Sequence, residues 1–396
     1  MVNPGRWRIL AILFAVRSAM AFQFQSVAAV APLLGRDLGV ELADIGLLIG
    51  LYLAPGIALG LPGGAIGQRF GDKRTVLAGL VLMVVGGLTM ALLPSWNAQI
   101  AGRLLAGVGG VLLNVLMSKM VTDWFGDRDI ATAMGIFVNS WPAGIAVALV
   151  ALPPIGAAYG VSAVFLVAVV LLVFASILLG SLYQAPAASG VPLAKASPGL
   201  SMSGAVVLAG LIWGLYNTGF AMIFSFGTSM LAERGLPLTA AGSITSIVLW
   251  LALVSVPLGG FLADWTMRPH VMVMVGCLAS AALLLLAPRL EPIPVFVALG
   301  VVSGLPAGAI MSLPARVLAP STRAVGMGLF YTVFYIGMGV GPTVGGWLAT
   351  WAGSASAAFD FGAVMLAACP LALWPFHRLA MAISRNSAAV AAPGRA

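Results

Sequence analysis

The most evident shortage in this chain is charge. Only 8% of its 396 residues are Asp, Glu, Lys or Arg, whereas 61% are hydrophobic. Ordinary soluble domains carry about 25% charged residues. A soluble fold of this length has too little interior to bury so much apolar surface, so the composition excludes one and indicates a chain that lies mostly within a membrane.

Histidine and cysteine are also scarce. His270 and His377 fall at the ends of apolar segments, whereas Cys277 and Cys369 fall inside them. We interpret the cysteines as packing residues rather than a disulfide or a metal site. The sequence shows no Ser/His/Asp set, no metal cluster and no glycine loop in a strand–turn–helix context. We therefore predict no enzyme activity, no cofactor and no metal.

Apolar segments of about 20 residues, long enough to cross a bilayer, recur along the chain. Charged and Pro/Gly-rich breaks separate twelve predicted spans. These are 9–32, 45–66, 75–94, 97–120, 131–152, 161–183, 203–227, 241–262, 271–288, 293–315, 324–349 and 357–377. The Pro-, Ala- and Ser-rich stretch 184–202 is typical of a linker. We predict an N-terminal six-helix bundle (1–183), a cytoplasmic linker (184–202) and a C-terminal six-helix bundle with a short cytoplasmic tail (203–396).

Basic residues are distributed unevenly between the two sides of these bundles. With the N-terminus inside, only Arg36, Arg234 and Arg289 fall in outer loops, and Arg17 and Arg103 fall within spans. All the other lysines and arginines lie on the inner side, so the positive-inside rule predicts cytoplasmic termini. The net charge of +8 is therefore a topology signal. No basic stripe indicates binding to nucleic acid.

A glycine-rich motif occurs once in each half. Segment 62–74 reads PGGAIGQRFGDKR and segment 257–264 reads PLGGFLAD, so that Gly64 and Gly260 correspond about half a chain length apart. The repetition indicates a duplicated bundle. A membrane protein built in this way is most simply a transporter with its substrate site near the midplane, between the halves.

These motifs resemble those of the major facilitator superfamily, whose loop between helices 2 and 3 follows G-x-L-A-D-R-x-G-R-K-R. The first copy departs from that pattern because Gln68 replaces the acid and Asp72 a basic residue, whereas the second copy keeps the acid as Asp264. The resemblance implies a latch in each half, with Asp72, Asp123 or Asp127 as substitutes for the missing acid. Residues with an implied gating role in these loops are Gly64, Gln68, Arg69, Gly71, Asp72, Lys73, Arg74, Asp123, Gly260 and Asp264.

Two further motifs carry the same resemblance. Arg103 begins an R-x-x-x-G-x-G pattern in the fourth span, and Gly341 and Pro342 lie in a G-x-x-x-G-P-x-x-G-G pattern in the eleventh. We interpret Arg103 as structural or coupling, and Gly341 and Pro342 as conformational. The chain is most similar to the cyanate/nitrate-nitrite porter branch, through Arg17 and the segment 124–128. The resemblance implies an all-α fold of twelve helices in two pseudo-symmetric bundles, which works as a monomer by alternating access.

Arg17 is a solitary charge in the first predicted span. It lies about 13 Å into that helix, and none of the eleven acids falls deep in a span. Arginine at a helix centre costs about 2.5–3.5 kcal/mol, and its guanidinium suits carboxylate, nitrate-like or phosphate oxygens. We expect Arg17 to bind a small anion; the alternative is a structural arginine bonded to helix carbonyls. Candidates to assist it are Gln25, Asn114, Tyr216, Asn217, Tyr331 and Tyr335.

The resulting hypothesis is a secondary transporter of a small anion in a bacterial inner membrane, with a coupling proton or an exchanged anion as its second substrate. One alternative is an exporter of drugs or neutral solutes, which the aromatic residues of the seventh span favour. A non-transporting membrane sensor is an alternative of another class. Arg316, at the inner end of the tenth span, is either part of an anion exit path or an ordinary loop charge.

Overall fold

The computed structural model describes residues 4–60, 62–125, 130–185, 199–266, 268–318 and 323–390. These residues form α-helices and one short 3-10 turn, Pro314–Arg316. The helices are α1 (Pro4–Ala29), α2 (Ala31–Leu38), α3 (Leu42–Leu51), α4 (Pro55–Leu59), α5 (Pro62–Phe70), α6 (Asp72–Leu92), α7 (Trp96–Phe125), α8 (Ile130–Tyr159), α9 (Val161–Leu182), α10 (Leu200–Glu233), α11 (Leu238–Thr266), α12 (Pro269–Leu286), α13 (Pro292–Ser303), α14 (Leu305–Met311), α15 (Arg323–Ala352) and α16 (Ser356–Val390).

Within the described residues, twelve helical segments are long and apolar enough to cross a membrane, which agrees with the predicted number. Several of their ends differ from the prediction; α8, for example, continues to Tyr159, beyond the predicted end at 152. Helix α10 begins at Leu200, inside the predicted linker, and α16 continues to Val390, beyond the predicted end at 377. Residues 186–198 of the linker lie outside the described residues, so the division into 1–183, 184–202 and 203–396 stays a prediction.

Prolines divide the second and tenth predicted spans into shorter helices. The second consists of α3, α4 and α5, with Pro55 and Pro62 at the first positions of α4 and α5. The tenth consists of α13 and α14, followed by the 3-10 turn that begins at Pro314. Proline lacks a backbone N–H and restricts the residue before it, so each proline ends one helix and begins the next.

The two halves of the molecule, α1–α9 and α10–α16, contact each other mainly at one end. We call this the outer end, where α1 and α15 finish; the inner end is where α1 begins and α16 finishes. The cross-half packing pairs α3 with α15, α8 with α11 and α1 with α10. Small residues permit this approach: a Cβ on Gly46 would overlap the carbonyl oxygen of Pro342, and a Cβ on Gly242 that of Leu149.

Candidate substrate site

The guanidinium of Arg17 donates hydrogen bonds to oxygen atoms of α8 at a point where the hydrogen bonding of that helix is interrupted. Its Nη1 donates to the carbonyl oxygens of Phe137 and Val138, both at 3.1 Å, and to the hydroxyl of Ser140 at 3.2 Å. Pro142 lies inside α8 and has no N–H to offer the carbonyl four residues earlier, which belongs to Val138. Proline thus frees an acceptor at the position that Arg17 reaches.

Asn114 connects Arg17 with the C-terminal half. Its Oδ1 accepts a hydrogen bond from Nε of Arg17 at 3.1 Å, and its Nδ2 donates to the hydroxyl of Tyr335 at 3.0 Å. Tyr335 is buried, with its ring against Gly56 of α4. A continuous polar chain therefore runs from α1 through α7 to α15.

The described residues around Arg17 include no counter-ion for its charge. The guanidinium carbon lies 4.8 Å from the ring centroid of Phe137 and 5.8 Å from that of Trp141. Among the titratable groups of the described ranges, those that interact electrostatically with Arg17 are Tyr331 and Tyr335 rather than a carboxylate. The side chain is partly exposed, and its Nη2 has no hydrogen-bond partner within the described part of the chain. One face of the cation is free to receive a ligand.

Arg103, the other arginine predicted within a span, has a different environment. It is 0% exposed, and its three guanidinium nitrogens donate to the carbonyl oxygens of Leu48, Gln23 and Phe24 at 2.9, 3.3 and 2.9 Å. Its guanidinium also lies 4.8 Å from the ring centroid of Tyr52. These contacts tie α7 to α1 and α3 and leave no nitrogen for a ligand.

Three predicted helpers of Arg17 make their hydrogen bonds elsewhere. Gln25 is 0% exposed and donates to the carbonyl of Phe224 at 2.6 Å, across the two halves. Tyr216 donates to the carbonyl of Ser303 at 2.6 Å, and Asn217 donates to the carbonyl of Trp213 in its own helix at 2.8 Å. The structure brings Asn114 and Tyr335 to Arg17, but it shows no bond from Gln25, Tyr216 or Asn217 to that group.

Sequence reasoning missed the α8 contribution. Phe137, Ser140 and Trp141 all contact Arg17, and the acceptor at Val138 depends on Pro142. A signal was present, because a proline inside a membrane helix always frees the carbonyl four residues before it. What the sequence does not reveal is that this carbonyl faces α1.

At the inner end of the N-terminal half, the predicted latch residues form an ion cluster. Nζ of Lys119 lies 2.6 Å from Asp72 and 2.8 Å from Asp123, so the acid at position 72 pairs with a cation on α7. Lys73 donates to the carbonyl of Tyr183 at 2.8 Å, which joins α6 to the end of α9. These contacts all lie within one half, and their gating role stays a prediction.

The remaining gating candidates are placed as follows. Gly71 has φ +87°, a left-handed conformation that favours glycine, and it separates α5 from α6. Arg69 and Arg74 are exposed, whereas Gly260 lies against α14. Gly341 packs on Thr218, and Pro342 belongs to the outer cross-half contact. Four other candidates lie, wholly or in their side chains, outside the part of the chain that the structure describes. They are Gly64, Gln68, Asp127 and Asp264.

The described residues form twelve membrane-length helices in two halves that meet at one end, which is the architecture of a membrane transporter. The particular family follows from comparison. A family described as the Major Facilitator Superfamily matches residues 13–232 and 202–393, and the chain belongs to it. A bacterial homologue of the human lysosomal transporter Spinster, solved in an inward-facing and occupied conformation, has a TM-score of 0.75. It is 17% identical, with 97% of this chain and 98% of that one covered, so the fold is shared.

Individual relatives have different cargoes. The hexuronate transporter of Bacillus subtilis is 24% identical over 308 residues, which are 72% of this chain and 73% of that protein. The nitrate/nitrite transporter NrtP of Picosynechococcus is 31% identical over 140 residues, 34% of this chain and 25% of that protein. A multidrug transporter of Aspergillus fumigatus, mfsC, is 28% identical over 124 residues, 31% of this chain and 24% of that protein.

Proposed function

We propose that this protein is a secondary transporter of a small anion and that Arg17 binds the anion. One observation carries the proposal: Arg17 is a partly exposed cation in a membrane span, with Nη2 free of hydrogen bonds from the described residues. Carbonyl acceptors orient its guanidinium but leave the net charge in place. A carboxylate or a nitrate-like anion supplies both the missing acceptor and the missing charge.

The names of two relatives support a negatively charged substrate. Hexuronate, nitrate and nitrite are all anions, and the hexuronate transporter matches most of this chain. The nitrate/nitrite match is confined to about a third of the chain, so the cyanate/nitrate-nitrite branch is the narrower part of the proposal.

The polar chain to Tyr335 suggests how binding is coupled to movement. Without an anion, closing the halves around Arg17 buries an uncompensated charge, whereas a bound anion removes that cost and allows closure. The hydrogen bonds through Asn114 and Tyr335 then transmit a change at Arg17 to α15. The 68–74 and 264–268 loops act as inner latches. Because no carboxylate faces Arg17 among the described residues, exchange for another anion or entry of a protonated substrate is the simplest coupling.

We also propose that the protein works as a monomer in a bacterial inner membrane, with both termini in the cytoplasm. The basis for the orientation is the accumulation of Lys and Arg on the inner side, and the monomeric state follows only from the resemblance to the superfamily. Cysteine labelling from each side of membrane vesicles tests this orientation. Labelling of a cysteine at position 8 from the periplasmic side would contradict it.

A second candidate function is export of drugs or neutral solutes. On α10, Trp213 stacks on Tyr216 at 5.5 Å between ring centroids, and Tyr216 stacks on Phe220 at 6.2 Å. Such an aromatic face accommodates flat apolar compounds. Under this alternative, Arg17 is structural and cargo binding does not depend on its charge.

The test is ligand-dependent thermal unfolding of the purified protein in detergent. The ligands are cyanate, nitrate, nitrite, monocarboxylates and dicarboxylates, neutral solutes and organic cations. A ligand at 100 times its dissociation constant adds about 2.7 kcal/mol of stability. We expect one anion class to stabilise the native protein and to lose that effect in Arg17→Gln.

The matched control is Arg36→Gln, which removes the same charge from an exposed outer position. It should keep the full anion response. Stabilisation by cations or neutral compounds in both the native protein and Arg17→Gln would favour the exporter. Transport of an anion by Arg17→Gln at the native rate would refute the role of Arg17.

A further inference from the structure

Basic side chains line part of two adjoining, open cavities at the inner end of the C-terminal half. The first cavity, of about 350 Å³, is lined by Arg316, His377 and Arg385. The second, of about 360 Å³, is lined by His270, Ser312 and again Arg316. We call the four basic residues the inner basic cluster. Arg316 joins the two cavities, and the ring centroids of His270 and His377 are 6.2 Å apart.

No acid compensates this cluster among the described residues that line the cavities. Arg316 is exposed, and its guanidinium makes no hydrogen bond or ion pair with the described part of the chain. Helix α12 begins at Pro269 beside His270, so the partial positive charge of its N-terminus adds to the cluster. The corresponding end of the N-terminal half differs, because there Lys119 is paired with two carboxylates.

The cluster lies at the depth of the membrane surface. Trp265 is 74% exposed and Trp374 is 61% exposed at the same end of the half, as expected for aromatic residues at a bilayer interface. The guanidinium of Arg378 lies 3.8 Å from the ring centroid of Trp374, next to His377 in the chain. The cavities therefore open where phosphate groups of lipids and soluble anions are both accessible.

We propose that the inner basic cluster binds a phosphate-bearing anion, with Arg316 as its central ligand. A phosphate offers several oxygen acceptors, which matches two arginines and two imidazoles with no carboxylate among the described residues that line the cavities. The phosphate belongs either to the headgroup of an anionic phospholipid, for which basic pockets between helices on this side are suited, or to a soluble phosphate compound. This site is separate from Arg17 and does not depend on the proposed cargo.

The experiment measures binding to the purified full-length protein by native mass spectrometry and thermal unfolding. One arm compares nanodiscs of phosphatidylcholine alone with nanodiscs that contain phosphatidylglycerol. The other arm adds inorganic phosphate to the protein in detergent. We expect binding in at least one arm, weakened about fivefold for each positive charge that is removed. Binding of phosphatidylglycerol alone identifies a lipid headgroup, and binding of inorganic phosphate identifies a soluble source; both results support the site.

The informative variant is Arg316→Gln, and Arg316→Lys should recover most of the affinity because it keeps the charge. Arg8→Gln is the matched control, since it removes an exposed charge from the inner end of the other half. If Arg316→Gln fails to fold, His377→Gln tests the same cavity. Equal binding by Arg316→Gln and Arg8→Gln, or no binding in either arm, would overturn the proposal.

Discussion

Two arginines in membrane helices differ in how many of their nitrogens the protein uses. All three guanidinium nitrogens of Arg103 donate to backbone carbonyls, and the side chain is fully buried. Arg17 uses Nε and Nη1 and is partly exposed. Buried Arg103 connects three helices through these bonds, whereas Nη2 of Arg17 has no hydrogen-bond partner among the described residues, which is the basis for the proposed anion site.

Asn114 offers a sharp test because it is a neutral neighbour of Arg17. Asn114→Asp places a carboxylate about 3 Å from the guanidinium, where the attraction amounts to several kcal/mol at an effective dielectric constant of about 20. This internal carboxylate competes with the cargo. We expect the apparent affinity for the anion to fall about 100-fold or more. The measurement is the unfolding temperature as a function of anion concentration.

Asn114→Ala separates loss of the amide from gain of the charge. It removes the hydrogen bond to Arg17 but adds no carboxylate, so it should retain anion binding with a loss of about tenfold, in line with one hydrogen bond to a charged group. Equal losses in Asn114→Ala and Asn114→Asp would show that the amide, rather than the net charge of the site, governs binding.

At this scale the sequence predicted the solitary charge of Arg17 but only part of its surroundings. Asn114 and Tyr335 join it as named candidates. Gln25 and Tyr216 do not bond to Arg17. The amide of Gln25 and the hydroxyl of Tyr216 each donate to a backbone carbonyl of another helix. Which carbonyl lies within reach depends on how helices pack, and the periodicity of a single helix contains no information about that.

At the scale of elements, α16 begins with a cap from another helix. The carboxylate of Glu233, the last residue of α10, accepts the backbone N–H of Ala355 at 2.9 and 3.0 Å and the hydroxyl of Ser354 at 2.9 Å. Ala355 lies immediately before α16, so this carboxylate fixes the start of that helix against α10.

Removal of that cap should destabilise the C-terminal half. Glu233→Ala is expected to lower the free energy of unfolding by about 1–2 kcal/mol, the usual cost of a lost N-cap. The measurement is thermal unfolding in detergent. Glu291→Ala is the control, because Glu291 precedes α13 with no side-chain capping bond. A similar decrease in both variants would mean that charge near a helix start, rather than the capping bond, is responsible.

The number of spans was predictable because length and hydropathy determine it directly. The breaks at Pro55, Pro62 and Pro314 were less so, since membrane helices also tolerate prolines. Helices α8 and α15 each continue through an internal proline, at Pro142 and Pro342 respectively. A membrane helix can continue through a proline where neighbouring groups bond the freed backbone carbonyl, as Arg17 does at Val138 of α8.

At the scale of the whole molecule, the two halves close at the outer end through backbone contact. Gly46 and Gly50 of α3 face Pro342 and Gly339 of α15 so closely that a Cβ on either α3 glycine would overlap a backbone oxygen. At these two positions the nearest obstacle is a backbone oxygen, which cannot rotate away as a side chain does. The outer closure is therefore sensitive to a single methyl group.

Gly46→Ala should open the outer end. The added methyl collides with the carbonyl of Pro342, which is backbone and cannot turn away, so the population shifts toward a state with separated outer halves. A cysteine at Thr228, which is buried and bonded across the halves to Ala28, reports this state by maleimide labelling after both native cysteines are replaced. We expect labelling about tenfold faster, equivalent to about 1.4 kcal/mol. Gly135→Ala, with open space around its added carbon, is the control, and equal rates in the two variants would show that glycine packing does not hold the outer end closed.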